Sequence, residues 1–211
     1  MKICGVTRNI DARHAQSAGA DLLGVVLSSG FGRSVPRASA GKVMSGTDLP
    51  RVAVLVDEAP AVAAALAAVV DASVLQLHGT EGRDTILALR DLGDWTVWKA
   101  VRARTRDDLE RTVDEVGDVV DGILVEGWRK GVAGGGGARL RLGAEEVRGV
   151  LPDDVDFILA GGLTPGSVGE AVARFRPDVV DVSSGIERAP GVKSRHRVTR
   201  FVREARGTSA P

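Results

Sequence analysis

The sequence has a single cysteine, Cys4, and that scarcity excludes several classes at once. One thiol cannot close a disulfide within the chain, and no second cysteine offers zinc-ligand spacing. Cys4 is therefore buried filler, an incidental thiol, or a group that does acid–base or nucleophilic work. An excess of charge is also missing: Lys plus Arg and Asp plus Glu number 28 each. This balance gives no support for a nucleic acid or an anionic membrane as partner. Arg102, Arg104 and Arg106 lie close together, but their alternation with other residues suits a solvated loop and a helix start. No run approaches a membrane span. Val62–Val70 is apolar but short, Ala-rich and preceded by Asp57 and Glu58, as a buried helix face would be. The start shows no charged-then-apolar signal pattern, and with one cysteine a reducing cytoplasm is the expected location.

What the chain does have is alternation from end to end. Short β-branched runs, at Lys2–Gly5, Leu22–Leu27, Val52–Val56, Val74–Leu77, Thr96–Ala100, Gly122–Val125, Phe157–Ala160 and Val179–Ser183, predict strands. Between them, Ile10–Ala18, Ala38–Met44, Ala59–Val70, Gly82–Leu92, Thr105–Val116, Ala144–Val150, Pro165–Arg174 and Lys193–Arg206 predict helices. Asn9, Thr105 with Asp108, and Thr164 before Pro165 supply helix-start signals. The strands are mostly continuously apolar, as in a parallel sheet covered on both faces. Eight strand–helix units without a composition break predict an α/β fold, a single (β/α)8 TIM barrel over residues 1–206 with a disordered tail at 207–211. A doubly wound open sheet is the alternative, but no dinucleotide-type glycine fingerprint follows the first strand. Gly134–Gly137 lies in a long connection that suits a mobile functional loop better than a plain linker.

Barrels of this kind place their chemistry at the C-terminal strand ends. There stand Cys4, Arg33 in the loop after the second strand, Gln76 and His78, Lys99, Glu126, Gly161–Gly162, Asp181 and Ser183–Ser184–Gly185. The last two loops suit a phosphate: Gly161, Gly162, Ser183, Ser184 and Gly185 offer N–H and hydroxyl donors, and Thr164–Pro165 would open a helix. Asp181 could contact a sugar or its own neighbouring loops, and Lys99 could point into the barrel or at the site.

Four stretches carry a resemblance. Lys2–Ile3–Cys4–Gly5–Val6–Thr7, Gln76–Leu77–His78–Gly79, Leu159–Ala160–Gly161–Gly162–Leu163 and Val180–Asp181–Val182–Ser183–Ser184–Gly185–Ile186–Glu187 resemble, in order, signature segments of the phosphoribosylanthranilate isomerase family. Pro190–Gly191–Val192–Lys193 is similar too. The resemblance implies an isomerase of tryptophan biosynthesis, working by an Amadori rearrangement without cofactor or metal, on a small-molecule phosphosugar, as monomer or homodimer. It implies Cys4 as general base and Arg33 as holder of the anthranilate carboxylate. The acid of that family is an aspartate ending the sixth strand; this chain has Glu126 in its place. One added methylene moves the carboxyl by about 1.5 Å. Leu140–Arg141–Leu142 replaces an aromatic residue further on. Trp128 could wall the anthranilate or anchor the loop. These departures leave open two alternatives, Amadori chemistry on another N-glycosyl amine and a non-catalytic phosphosugar-binding barrel.

Overall fold

The computed structural model describes residues 1–127 and 140–207. Trp128, Gly134–Gly137 and residues 208–211 of the expected tail lie outside the described residues. Eight short strands carry the fold: β1 Lys2–Ile3, β2 Leu22–Val26, β3 Arg51–Leu55, β4 Val74–Leu77, β5 Thr96–Ala103, β6 Gly122–Gly127, β7 Asp156–Leu159 and β8 Val179–Val182. Helices follow them: α1 Asn9–Ser17, α2 Arg37–Met44, α3 Pro60–Val69, α4 Arg83–Arg90, α5 Arg106–Val116, α6 Ala144–Arg148, α7 Val168–Phe175 and α8 Arg195–Ala205. All strand pairs of the barrel are parallel, and β1 closes on β8 through Lys2↔Asp181 and Ile3↔Val182. That closure is the expected (β/α)8 barrel and rules out the open sheet.

Alternation along each strand sorts the side chains into two cores. One set, including Ile3, Leu23, Leu75, Val97, Ile123 and Phe157, packs outward against the helices. The other, including Val52, Val74, Trp98, Leu124 and Ile158, fills the barrel axis. Both sets are buried, which is why the strands read as unbroken apolar runs. At the N-terminal rim, aspartates pin strands to their neighbours: Asp121 Oδ2 accepts from Val97 N at 2.6 Å and Asp178 Oδ2 from Phe157 N at 2.8 Å.

Thr105 caps α5 as expected, in a reciprocal box with Asp108. Two other expected starts fall differently. Asn9 sits inside α1, and its amide bridges instead to the carbonyl oxygens of Lys42, Val43 and Ser45. Thr164–Pro165 forms a turn closed by Ser167, and α7 begins at Val168. The last connection is also richer than expected. A single 3-10 turn, Ser184–Ile186, leads to an antiparallel hairpin of β9 Glu187–Ala189 and β10 Val192–Lys193. The final helix therefore starts at Arg195, behind Ser194.

Phe201 on α8 is fully buried among the outward-facing set. Truncation by Phe201→Ala is expected to lower the urea unfolding free energy by about 3–5 kcal/mol. Thr105→Ala, which removes only a cap, is expected to cost about 1 kcal/mol in the same measurement.

Candidate active site

The inward positions at the C-terminal strand ends converge on one cleft. Its lining brings together Cys4 and Glu126, then Arg33, Gln76, His78 and Asp181, and lastly Gly161, Gly162, Ser183, Ser184 and Gly185, but not Lys99. The cleft opens to solvent, and about 890 Å³ of space, open solvent included, lies between its walls.

Glu126 is placed by register. β5 and β6 run on beyond the other strands and pair Arg102 with Glu126. Glu126 Oε1 lies 3.0 Å from His78 Nε2 and 3.4 Å from Arg102 Nε. Arg102 also donates to the His78 carbonyl oxygen at 3.0 Å, so it ties strand ends four, five and six together. Behind the imidazole, Gln76 Nε2 lies 2.7 Å from His78 Nδ1, and Gln76 Oε1 is buried without a partner among the described residues. In that orientation the amide donates, Nδ1 accepts, and the ring proton on Nε2 faces the carboxylate. Turning the amide over offers its oxygen to Nδ1, the partner that a doubly protonated ring needs. Burial pushes the Glu126 carboxyl up, but the hydrogen bond and charge of His78, then Arg102 and Lys2, hold it below the ordinary glutamate range. In the free protein Glu126 is thus a carboxylate at neutral pH.

Cys4 sits across the lumen at the end of β1, buried, with its backbone N–H bonded to Val182 O at 2.8 Å. Burial pushes the thiol up and Asp181 adds to this, whereas Lys2 and Lys193 pull it down; the balance is upward.

Arg33 reaches the cleft through a fork. Its Nε and one terminal nitrogen bind Glu187 at 2.8 and 2.6 Å. Lys193 binds the same carboxylate at 2.8 Å and also donates to Ser183 O and Oγ. Burial pushes the Glu187 carboxyl up, but Arg33 and Lys193 together hold it below the ordinary range. The fork orients the guanidinium and leaves its other terminal nitrogen for a ligand.

Gly161 and Gly162 have φ of 88° and 65°, backbone that only glycine adopts freely, and Gly185 lies against the Leu163 carbonyl oxygen. This close approach brings the loops after β7 and β8 together at one rim. The expected helix start at Thr164–Pro165 does not contribute there, since α7 begins later.

Two expectations need correcting. Arg102 is an inward strand residue of the cleft and not a solvated loop residue. Lys99 points neither into the barrel nor at the cleft: its ammonium binds Glu81 and the Gly79 carbonyl oxygen, each at 2.7 Å, outside the barrel wall. Leu142 is buried in the outer core. Arg102 was findable, because it follows Trp98 and Ala100 at strand spacing. Glu187 and Lys193 had no such signal, since their meeting depends on the hairpin.

Comparison with known proteins follows this geometry. Residues 1–204 match the family model described as N-(5'-phosphoribosyl)anthranilate (PRA) isomerase. The N-(5'-phosphoribosyl)anthranilate isomerase of Chromohalobacter salexigens is 37% identical, with 100% of this chain and 96% of that protein covered. The crystal structure of phosphoribosyl anthranilate isomerase from Thermotoga maritima superposes with a TM-score of 0.85 at 29% identity, covering 98% of each chain. A further structure, of the isomerase in complex with reduced 1-(o-carboxyphenylamino)-1-deoxyribulose 5-phosphate, gives 0.83 at 28%, covering 98% of this chain and 97% of that one.

The depressed Glu126 carboxyl has a consequence for stability. An unfolded glutamate titrates near pH 4.3. The contribution of Glu126 is complete above that pH and is lost as pH falls through the lower folded value. Its carboxamide variant, Glu126→Gln, has no such charge to lose. The stability difference between wild type and variant, from urea midpoints, is therefore expected to shift against wild type between about pH 6 and about pH 3. A difference independent of pH would contradict the depressed carboxyl.

Proposed function

The chain belongs to the N-(5'-phosphoribosyl)anthranilate isomerase family, and on that premise we propose that it converts N-(5'-phosphoribosyl)anthranilate to 1-(2-carboxyphenylamino)-1-deoxyribulose 5-phosphate, a cytoplasmic step of tryptophan biosynthesis. One observation carries the reading: a thiol at the end of β1 and a hydrogen-bonded carboxylate at the end of β6 line the same cleft, beside a rim of backbone donors from the last two loops. The reaction needs an acid for the ring oxygen, a base for the C2' proton, and an anchor for phosphate. The rearrangement is balanced within the substrate, since C2' is oxidised as C1' is reduced.

Glu126 acts as the acid with His78. A carboxylate cannot donate, so the proton enters on the pair, with His78 Nε2 in hydrogen-bond reach of Oε1. Protonation of the ribose ring oxygen breaks its bond to C1' and opens the ring to an iminium. The resting Cys4 thiol first gives its proton to solvent, and the thiolate then takes the C2' proton; the C–H electron pair moves into the C1'–C2' bond and neutralises the iminium nitrogen. The enolamine then relaxes to the ketone. Arg33, oriented by Glu187, holds the anthranilate carboxylate. Gly161, Gly162, Ser183, Ser184 and Gly185 receive the phosphate, and Gln76 and Asp181 wall the sugar. Glu126 in place of the family's aspartate supports a second reading, the same chemistry on a different N-glycosyl amine.

Enzymatically generated phosphoribosylanthranilate should lose its fluorescence on addition of the protein, and Cys4→Ser and Glu126→Gln should each abolish that loss. Glu126→Asp draws the carboxyl back from His78 and Arg102 and is expected to lower kcat by about a hundredfold. Complementation of a tryptophan auxotroph lacking only this isomerase tests the pathway. Wild-type protein without turnover at high concentration, together with failed complementation, would sink the proposal; turnover of another N-glycosyl amine alone would favour the second reading.

A further inference from the structure

Beneath the Cys4 sulfur lies a charge that the isomerisation described above does not use. Lys2 precedes Cys4 by two residues on the same strand face, and it has no exposure to solvent. Its ammonium donates to Asp181 Oδ1 at 3.0 Å, across the β1–β8 pairing that sets the two residues side by side. Its charge also acts on the Cys4 thiol, two residues further along the same face. Gly24 on β2 makes room for both side chains: a Cβ there would stand 2.8 Å from Lys2 Cε, 3.1 Å from Nζ and 3.0 Å from Cys4 Sγ. Four strand positions thus bring the ammonium and the thiol together beside Gly24.

Stability does not account for it. The surrounding axis is apolar, filled by Val52, Trp98 and Ile158 among others. A buried ion pair in such a place is commonly matched or bettered by apolar side chains of similar volume. Among the described residues, the charged groups acting on Cys4 are Lys2 from β1, Asp181 from β8, Lys193 from β10 and Arg33 from the loop after β2. Lys193 and Arg33 are both bound to Glu187, and Asp181 opposes an anionic sulfur. Lys2 is the cation that pulls the thiol down most, and it is not shared with Glu187.

We propose that Lys2, held by Asp181, is the positioning residue of the base: its buried ammonium is the counter-charge that stabilises the Cys4 thiolate and fixes the sulfur toward the sugar. The inference rests on the reading of Cys4 as base. Lys2 gives up no proton in the step, which forms S–H and breaks C2'–H. Burial works against the ammonium, but Asp181 and Cys4 outweigh it, so Lys2 holds its proton more firmly than an ordinary lysine.

Cys4 is the only cysteine, so alkylation by iodoacetamide reports its ionisation without background. Lys2→Gln keeps volume and one donor for Asp181. The pH of half-maximal alkylation is expected to rise by about one unit or more in this variant, with kcat near pH 7 down about tenfold and KM little changed. The double variant Lys2→Met with Asp181→Leu removes the whole pair in favour of apolar side chains and keeps the test open should Lys2→Gln fail to fold. Because Asp181 itself opposes the thiolate, this variant is read against Asp181→Asn, which keeps Lys2 beside a neutral partner; the double variant's alkylation midpoint should be the higher of the two. A folded Lys2→Gln whose midpoint matches wild type, or a double variant whose midpoint matches Asp181→Asn, would overturn the role of Lys2. Cys4→Ser separates the two claims. Retained turnover in that variant defeats Cys4 as base, whereas an inactive Cys4→Ser beside a Lys2→Gln enzyme of wild-type kcat and midpoint defeats Lys2 alone.

Discussion

Closure of the sheet is the constraint from which the rest follows. Once β1 pairs with β8, every second side chain on each strand has one destination, the shared axis. Low in the barrel that axis is filled with apolar side chains. At the C-terminal end the strands stop at slightly different heights, and the inward residues there face each other across a cleft rather than interdigitating. Cys4 and Glu126 belong to strands that do not touch, yet closure aims both at the same space. The chemistry is thus a property of the rim, and the strands below it serve to hold the rim in register.

Around that rim, charge is organised into three groups. His78, Arg102 and Glu126 form one, with Gln76 behind the imidazole. Arg33, Lys193 and Glu187 form a second, with Ser183 drawn in by Lys193. Lys2, Asp181 and Cys4 form the third, the most deeply buried. Each joins residues far apart in sequence, and each leaves one atom aimed at the cleft: a carboxylate oxygen, a guanidinium nitrogen, a sulfur. Side chains restrained in this way lose little further freedom when a ligand arrives. Glu126 fits the same logic, because its side chain is held by His78 and Arg102.

Much of the fold was legible because the signal is local and repeated. Unbroken β-branched runs marked the strands, and Thr105 with Asp108 marked a helix start that the structure keeps. The misreadings share a cause. Asn9 had the right chemistry for a cap, but the carbonyl groups ending α2 compete for its amide. Thr164–Pro165 looked like a helix start, but Ser167 closes a turn there first. Arg102 looked like a solvated arginine because the expected fifth strand ended at Ala100; pairing with β6 carries it on to Ala103. Lys99 was undecidable until that pairing set which face of the strand it occupies.

By itself, the sequence determined the eightfold alternation, the two buried faces of the sheet and the strand ends at which reactive groups stand. Periodicity and turn chemistry act over a few residues, so they survive in one dimension. Only the tertiary structure decided that the sheet closes, that Glu126 is held ionised between His78 and Arg102, that Arg33 is forked onto Glu187, and that Lys2 is paired with Asp181 below Cys4. Those outcomes depend on registers and crossings between residues as distant as Lys2 and Asp181. Contact across such separations is fixed by packing of the whole barrel, and no local pattern encodes it.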